Sequence, residues 1–295
     1  MKQVRPKKNL GQHFLTDLTI ARRIADTVDA CPDLPVLEVG PGMGVLTQFL
    51  AEKSRPLSVV EIDAESVAYL KERFGWEIRA HRDCPQAVGD LVPPHPRPSA
   101  PPHGMECREI IAGDFLRMDL HGLFDGGPFV LTGNYPYDIS SQIFFKMLDN
   151  RDLIPCCTGM IQHEVAQRMA AQPGSKQYSI LSVLIQAWYD VEYLFTVPPS
   201  VFNPPPKVQS AVIRMTRNAV ENLGCDEQLF RRVVKTTFNQ RRKMLRVSLR
   251  QLLPPDAPLF TLPAFSSFTT RRPEQLTIAE FVALTNLIGP ADTAV

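Results

Sequence analysis

The sequence predicts an α/β fold: a parallel sheet with helices on its faces, followed by a small all-helical C-terminal domain. Three observations predict it. Apolar runs alternate with segments of helical spacing from Pro35 onward, the pattern of βαβ units. The ends of those runs carry Gly40, Glu61, Asp114 and Asn134, and in such sheets ligands sit at the carboxyl ends of the strands. After about Arg217 the periodicity is helical, and Phe230 to Val295 holds ten Lys or Arg against four Asp or Glu.

The elements follow in order. "PVLEVGPGMGVLTQFLAE", Pro35 to Glu52, reads as a buried strand, a glycine-rich turn and a helix. "LSVVEID", Leu57 to Asp63, is a second buried strand, and "AESVAYLKERF" is the helix after it. Between Arg79 and Arg108 the periodicity fails: the stretch is crowded with proline and predicts a flexible surface insertion over 79–108. "REIIAGDF" and "PFVLTGNYPY" are two further apolar runs, and "SSQIFFKML" has helical spacing. The chain from Gly159 to Met215 then reads as strand, helix, loop, helix, strand, proline-rich loop, strand. Its last two strands close the sheet as a hairpin across the stiff "VPPSVFNPPP". The first domain therefore spans 1–217 and the helical one 218–295, where Thr277 and Glu280 match a capping box.

Bulk properties narrow the function. A hydrophobic share of 44% allows a real core, and no apolar run approaches the roughly 20 residues that cross a bilayer. "MKQVRPKKNLGQHFL" is basic with no apolar stretch behind it, unlike a secretory signal. A cytoplasmic protein without a membrane role is expected. Six cysteines without a CxxC pair read as reduced thiols. His81 with Cys84 and His103 with Cys107 have spacing within reach of zinc. Proline-rich loops rarely close a metal site, so no metal is expected. The net charge of +1 hides two basic ends, because Lys2, Arg5, Lys7 and Lys8 stand in the first eight residues without an acid. Such ends suit a polyanionic partner.

In "EVGPGMG", Gly40, Gly42 and Gly44 are two apart, whereas a dinucleotide fingerprint is GxGxxG. Glu38 stands just before the bend. Glu61, ending the next strand, can take both hydroxyls of a ribose. Asp114 can accept from the exocyclic amine of an adenine. Carboxylates around the turn suit a cationic cofactor better than a diphosphate. S-adenosylmethionine, a sulfonium cation carrying an adenosine, fits them.

"LTGNYPYDIS" ends the fourth strand with an amide, two aromatic rings and an imide. The amino group of adenine is a poor nucleophile because its lone pair is delocalised into the ring. Two acceptors aimed at its hydrogens favour a pyramidal nitrogen whose lone pair is free. The Asn134 side-chain oxygen is one candidate acceptor. The Tyr135 carbonyl is the other, since Pro136 restricts the residue before it to extended geometry. Tyr137 then stacks on the base, contributing on the order of 1–3 kcal/mol. Transfer needs only positioning, with no metal and no covalent intermediate. A base that reacts at its amine must leave its stack, and Phe202, on the proline-stiffened loop, is a candidate second stacking surface. Arg241, Arg242, Lys243 and Arg246 lie within two turns of a helical run, so most can face one phosphate backbone.

These motifs, from about Lys7 to Leu287, resemble the KsgA-type (RsmA) small-subunit rRNA adenine N6,N6-dimethyltransferases. The matching stretches include "KKNLGQHFLTD", "VLEVGPGMGVLT", "VVEID", "GNYPYDIS", "QHEVAQRMAAQPGSKQYSILSVLIQ", "VPPSVFNPPPKVQSAV" and "FNQRRKMLRVSL". The resemblance implies a Rossmann-like class I S-adenosylmethionine-dependent methyltransferase fold with the small helical domain. It also implies dimethylation at N6 of two adjacent adenosines in the 3′-terminal hairpin of small-subunit rRNA. A role in late small-subunit assembly, on immature subunits and as a monomer, goes with it. By the match, His13, Leu15, Gly40, Gly42, Glu61, Asp114 and Asn134 serve the cofactor, and Asn134, Tyr137 and Phe202 handle the target base. Two features depart from the family: Tyr135 stands where leucine is commoner, and the proline-rich insertion lies outside the pattern. The rivals are a large-subunit rRNA adenine methyltransferase that confers antibiotic resistance and a non-catalytic RNA-binding assembly factor. The "FNQRRKMLRVSL" and "QHEVAQRM" stretches favour the small subunit, and Glu61 with Asn134 argues for an enzyme.

Overall fold

A computed structural model describes residues 6–7, 12–80 and 108–289. The chain enters through a two-residue strand, β1 (Phe14–Leu15), and helix α1 (Leu18–Asp26). The Asp17 carboxylate caps α1 by accepting from the Thr19 and Ile20 amides at 2.8 and 3.1 Å. Next come β2 (Val36–Val39), α2 (Thr47–Leu50), β3 (Leu57–Glu61) and α3 (Ala64–Phe74). Every residue of β2 and β3 is buried, as expected for strands covered on both faces. Helix α3 starts on the Asp63 side chain and ends at Gly75, whose φ of +70° suits a residue without a Cβ.

An edge strand not anticipated from the sequence, β4 (Glu77–Ala80), precedes β5 (Arg108–Ala112). The two pair in parallel through Arg79 and Ile111, so Arg79, Ala80 and Arg108 belong to strands, not to the expected insertion. Residues 81–107, with His81, Cys84, His103 and Cys107, lie outside the described residues. Lys2, Arg5 and Lys8 lie outside them as well. The core continues with β6 (Val130–Thr132), α4 (Ser140–Asp149), β7 (Cys156–Gln162), α5 (His163–Met169), α6 (Ile180–Gln186), β8 (Tyr189–Val197), β9 (Phe202–Asn203) and β10 (Ser210–Arg217). The sheet order is β4-β5-β3-β2-β6-β7-β10-β8, with β10 antiparallel to β7. The last two strands, β10 and β8, are neighbours at the edge of the sheet, where the closing hairpin was expected. Strands β1 and β9 form a separate antiparallel pair.

The chain divides into two compact units. The first holds Met1–Ala166 and Glu192–Arg217, the sheet-bearing part. The second holds Gln167–Val191 together with Asn218–Val295, so the helical unit does not begin at 218 as the sequence suggested. Aromatic packing explains the difference. Trp188, fully buried, meets the ring of Phe230 edge-on at 6.1 Å, and Tyr178 meets Phe238 in the same way. The second unit is built on α7 (Glu227–Asn239), α8 (Leu245–Ser248) and α9 (Ile278–Ile288). Thr277 caps α9 as expected: its hydroxyl accepts from the Glu280 amide at 3.2 Å, and its own amide donates to Glu280 at 2.8 Å. The Arg271 guanidinium, with the Thr277 amide, holds the Glu280 carboxyl down at about 2. Stability from that group is complete above the ordinary value of 4.5 and is lost as pH falls toward 2. Glu280→Gln is expected to flatten this acid limb in thermal unfolding followed against pH.

Candidate active site

Side chains alternate along a strand, so Val36 and Glu38, Val59 and Glu61, and Val130 and Thr132 project to one face of the sheet. Val36, Val59 and Val130 join the hydrophobic core that packs beneath α1 and α2. The polar residues one step further sit at the carboxyl edge. There a cleft of about 240 Å³ opens. His13, Leu15, Gly40, Gly42, Glu61 and Asp114 line it, and so do Asn134, Tyr135, Pro136 and Tyr137. Residues spread over more than 120 positions of sequence are thus brought to one place.

The glycine turn has a steric cause. Gly40, Gly42 and Gly44 have φ of +68°, +55° and +71°, the left-handed region that side chains avoid. A Cβ on Gly42 would also stand 2.9 Å from the Phe14 ring. The bend aims the Gly42 amide at Glu61, whose carboxylate accepts from it at 3.0 Å and from the Ile62 and Asp63 amides at 2.9 Å each. Burial pushes the Glu61 carboxyl up, against these three hydrogen bonds. Asp114 accepts from the Leu116 amide at 2.9 Å and lies 3.5 Å from Arg117, leaving further lone pairs for a ligand.

The Asn134–Tyr137 segment is pinned from behind. The Met160 amide donates to the Gly133 carbonyl at 2.9 Å, and the Tyr135 amide donates to the Met160 carbonyl at 3.0 Å. The Tyr135 ring is buried and its hydroxyl donates to the Thr158 carbonyl at 2.9 Å, so its side chain is an anchor and its backbone borders the cleft. Asn134 donates through Nδ2 to the His13 carbonyl at 3.1 Å, which orients the amide. Neither Asn134 Oδ1 nor the Tyr135 carbonyl accepts a hydrogen bond from the described residues. The half-buried Tyr137 ring stacks on His13 with centroids 5.5 Å apart, and its hydroxyl meets Ser210 Oγ. The His13 imidazole is itself held by Nδ1 at 2.8 Å from the Pro204 carbonyl.

Two expectations need correction. Phe202 does not line the cleft: it is 4% exposed, pairs with Leu15 across β1 and β9, and packs in the core cluster. An apolar ring beside a two-stranded ladder gains more by covering the core than by waiting at the surface. The basic cluster is not on one helical run either. Helix α7 ends at Asn239, and Arg241 to Lys243 occupy the turn before α8. Within its unit, Arg241 donates to the Ser175 carbonyl at 3.1 Å and approaches Glu274 at 4.0 Å. It is committed to holding that loop, whereas Arg242, Lys243 and Arg246 are exposed. Lys7 of the N-terminal group is paired with Asp63 at 2.5 Å.

Sequence reasoning missed the Glu38–Thr47 pair, joined at 2.7 Å, and the glycine contact behind Asn134. A glycine inside an otherwise apolar strand, Gly159, was the available signal for the latter.

Among the described residues the lining carries the carboxylates Glu38, Glu61, Asp114 and Asp138 and no Lys or Arg. With backbone amides in the glycine turn, that donor set fits an adenosine bearing a cationic sulfonium and does not suit a diphosphate. Fold and cleft together define a class I S-adenosylmethionine-dependent methyltransferase.

The family profile described as ribosomal RNA adenine dimethylase matches residues 3–81 and 102–265. The chain belongs to that family, and the interruption in the match falls in the proline-rich insertion. It is an rRNA adenine dimethyltransferase that draws its methyl groups from S-adenosylmethionine. Ribosomal RNA small subunit methyltransferase A of Bacteroides thetaiotaomicron is 62% identical, over 99% of this chain and 97% of that protein. The protein of the same name from Flavobacterium johnsoniae is 45% identical over 98% and 97%. Among solved structures, the 23S rRNA methyltransferase ErmE aligns with a TM-score of 0.60 at 26% identity, over 92% of this chain and 99% of that one. A dimethyladenosine transferase from Plasmodium falciparum shares the fold, with a TM-score of 0.71 at 23% identity, over 94% and 97%.

Proposed function

We propose that this enzyme dimethylates N6 of two adjacent adenosines in the 3′-terminal hairpin of small-subunit rRNA, acting on immature subunits as a cytoplasmic monomer. The observation that carries the choice of subunit is near-complete alignment at 62% identity with a small subunit methyltransferase, against 26% for the 23S enzyme. The free thiols of Cys31, Cys156, Cys157 and Cys225 suit a reducing compartment. Among the described residues no helix is long and apolar enough to cross a membrane.

When bound, S-adenosylmethionine supplies an electrophilic methyl group on a sulfonium. Glu61 is the residue for its ribose and Asp114 for its adenine amine, with Gly40, Gly42, His13 and Leu15 forming the walls. Asn134 Oδ1 and the Tyr135 carbonyl accept the two hydrogens of the target amine and localise its lone pair. Tyr137, already covered on one ring face by His13, offers the other to the base. The reading is tested by transferring labelled methyl groups to unmethylated small subunits and mapping the product. Label on two adjacent adenosines near the 3′ end is expected, and label confined to large subunits would refute it.

Arg242, Lys243 and Arg246 are the candidate phosphate contacts. Each such contact steepens the fall of log affinity with log salt by roughly 0.7–0.9. Replacing all three by alanine is expected to reduce the slope by about 2 to 3 in filter-binding titrations. An unchanged slope would make the cluster a solvated surface.

A further inference from the structure

We propose that Glu38 is the residue by which the cleft distinguishes the sulfonium-bearing methyl donor from its uncharged thioether product, an inference that rests on reading the cleft as the cofactor site. The carboxylates at successive strand ends differ in how their charge is offset. Glu61 receives three backbone amides, and Asp114 receives one amide with Arg117 nearby. Glu38 is 1% exposed and receives a single hydroxyl, from Thr47 of α2. From β3 it faces Glu61, a like charge. From β6 its register neighbour is Thr132, whose hydroxyl is buried without a hydrogen-bond partner among the described residues. The other titratable groups of the lining are His13, Asp114, Asp138 and the two tyrosines, so among the described residues the lining holds no Lys or Arg.

A buried carboxylate left this bare keeps its proton. Burial, against the Thr47 hydrogen bond and helped by Glu61, pushes Glu38 up to about 8. A cation in the cleft favours the ionised form, so binding of the donor expels the proton. The product has the same ammonium group but a neutral sulfur, and gains less from ionised Glu38. The same residue therefore strengthens donor binding and eases product exchange.

Titration calorimetry of the full chain at about pH 7, in buffers of different ionisation heat, reads the protons released. The probes are S-adenosylmethionine and S-adenosylhomocysteine. The wild type is expected to release more protons with the first than with the second. Glu38→Gln is expected to abolish that excess and to weaken the donor about tenfold more than the product, a difference of about 1.4 kcal/mol. Equal proton release by wild type and variant, or equal weakening of both ligands, would overturn the inference. Glu61→Gln separates the two levels: if it weakens both ligands while Glu38→Gln does nothing, only the role of Glu38 fails. If neither variant changes either affinity, the assignment of the cleft fails with it.

A ligand-free readout guards against misfolding. Glu38 is neutral in the folded protein up to about 8 but ionised above 4.5 when unfolded, so its contribution to stability declines as pH rises between those values. The melting temperature of Glu38→Gln is expected to exceed that of the wild type at about pH 8, with the gap closing toward about pH 5. A gap independent of pH would contradict the inference.

Discussion

Asn134→Ala is expected to bind S-adenosylmethionine within roughly threefold of the wild type, well under 1 kcal/mol, while single-turnover transfer falls by about 10²- to 10³-fold. The asymmetry follows from what the amide touches. Its Nδ2 is used on the His13 carbonyl, and its Oδ1, on a residue that lines the cleft, has no donor among the described residues. The proposed ribose and adenine partners, Glu61 and Asp114, line the cleft from other strand ends. On the proposed reading, removing the amide deletes one of two acceptors for the target amine and leaves the ribose and adenine partners in place. The effect resembles loss of one preorganised group at a developing charge. Calorimetry for the cofactor and rapid-quench transfer to subunits measure the two quantities separately. Wild-type transfer by the variant would remove Asn134 from the chemistry, and a matching loss in both would make it a cofactor ligand only.

The second large effect is expected from a residue outside the described lining of the cleft. Gly159 lies in β7 with φ of +144°, and a Cβ there would stand 2.3 Å from the Gly133 carbonyl oxygen and 2.7 Å from the Tyr135 ring. The carbonyl cannot retreat, because it accepts the Met160 amide at 2.9 Å in the bridge that places Asn134. Gly133 itself backs onto the Val39 carbonyl, 2.5 Å from its own would-be Cβ. Three strands thus meet backbone to backbone just before the site. Gly159→Ala must break the bridge or displace β6, and is expected to cost about 3 kcal/mol or more. That corresponds to a fall in melting temperature of roughly 6–12 °C. Gly174→Ala is the control: φ is +86° but nothing lies within 4 Å of the added Cβ. It carries only the conformational penalty, about 1–2 kcal/mol. Thermal melts of the two variants compare the effects, and equal losses would show that the crossing behind Asn134 is not tight.

What the sequence revealed of this site and what it hid follow different physics. Gly40, Glu61, Asp114 and Asn134 were legible because each ends an apolar run, and strand ends in a parallel sheet converge. The Thr277 cap was legible because capping is local, set by residues three apart. Phe202 was misjudged because a proline-rich loop says where the backbone is stiff and not which way a ring turns. Only the pairing with Leu15, nearly 190 positions away, decides that. The run through Arg241 and Lys243 has helical composition throughout, and nothing local marks the turn after Asn239. The allegiance of Gln167–Val191 was hidden for a related reason. It depends on Trp188 finding Phe230 and Tyr178 finding Phe238, contacts between distant stretches. The state of Glu38 depends on depth of burial, which a strand of four apolar and acidic letters does not disclose.

The account turns on two acceptors meeting one amine. A crystal structure of the enzyme with S-adenosylhomocysteine and an unmethylated 3′-hairpin RNA tests it most directly. The prediction is a target adenine in the cleft, its N6 at about 2.7–3.2 Å from both Asn134 Oδ1 and the Tyr135 carbonyl oxygen. An adenine bound with its amine turned toward solvent, or held by other groups while Asn134 faces elsewhere, would contradict the account.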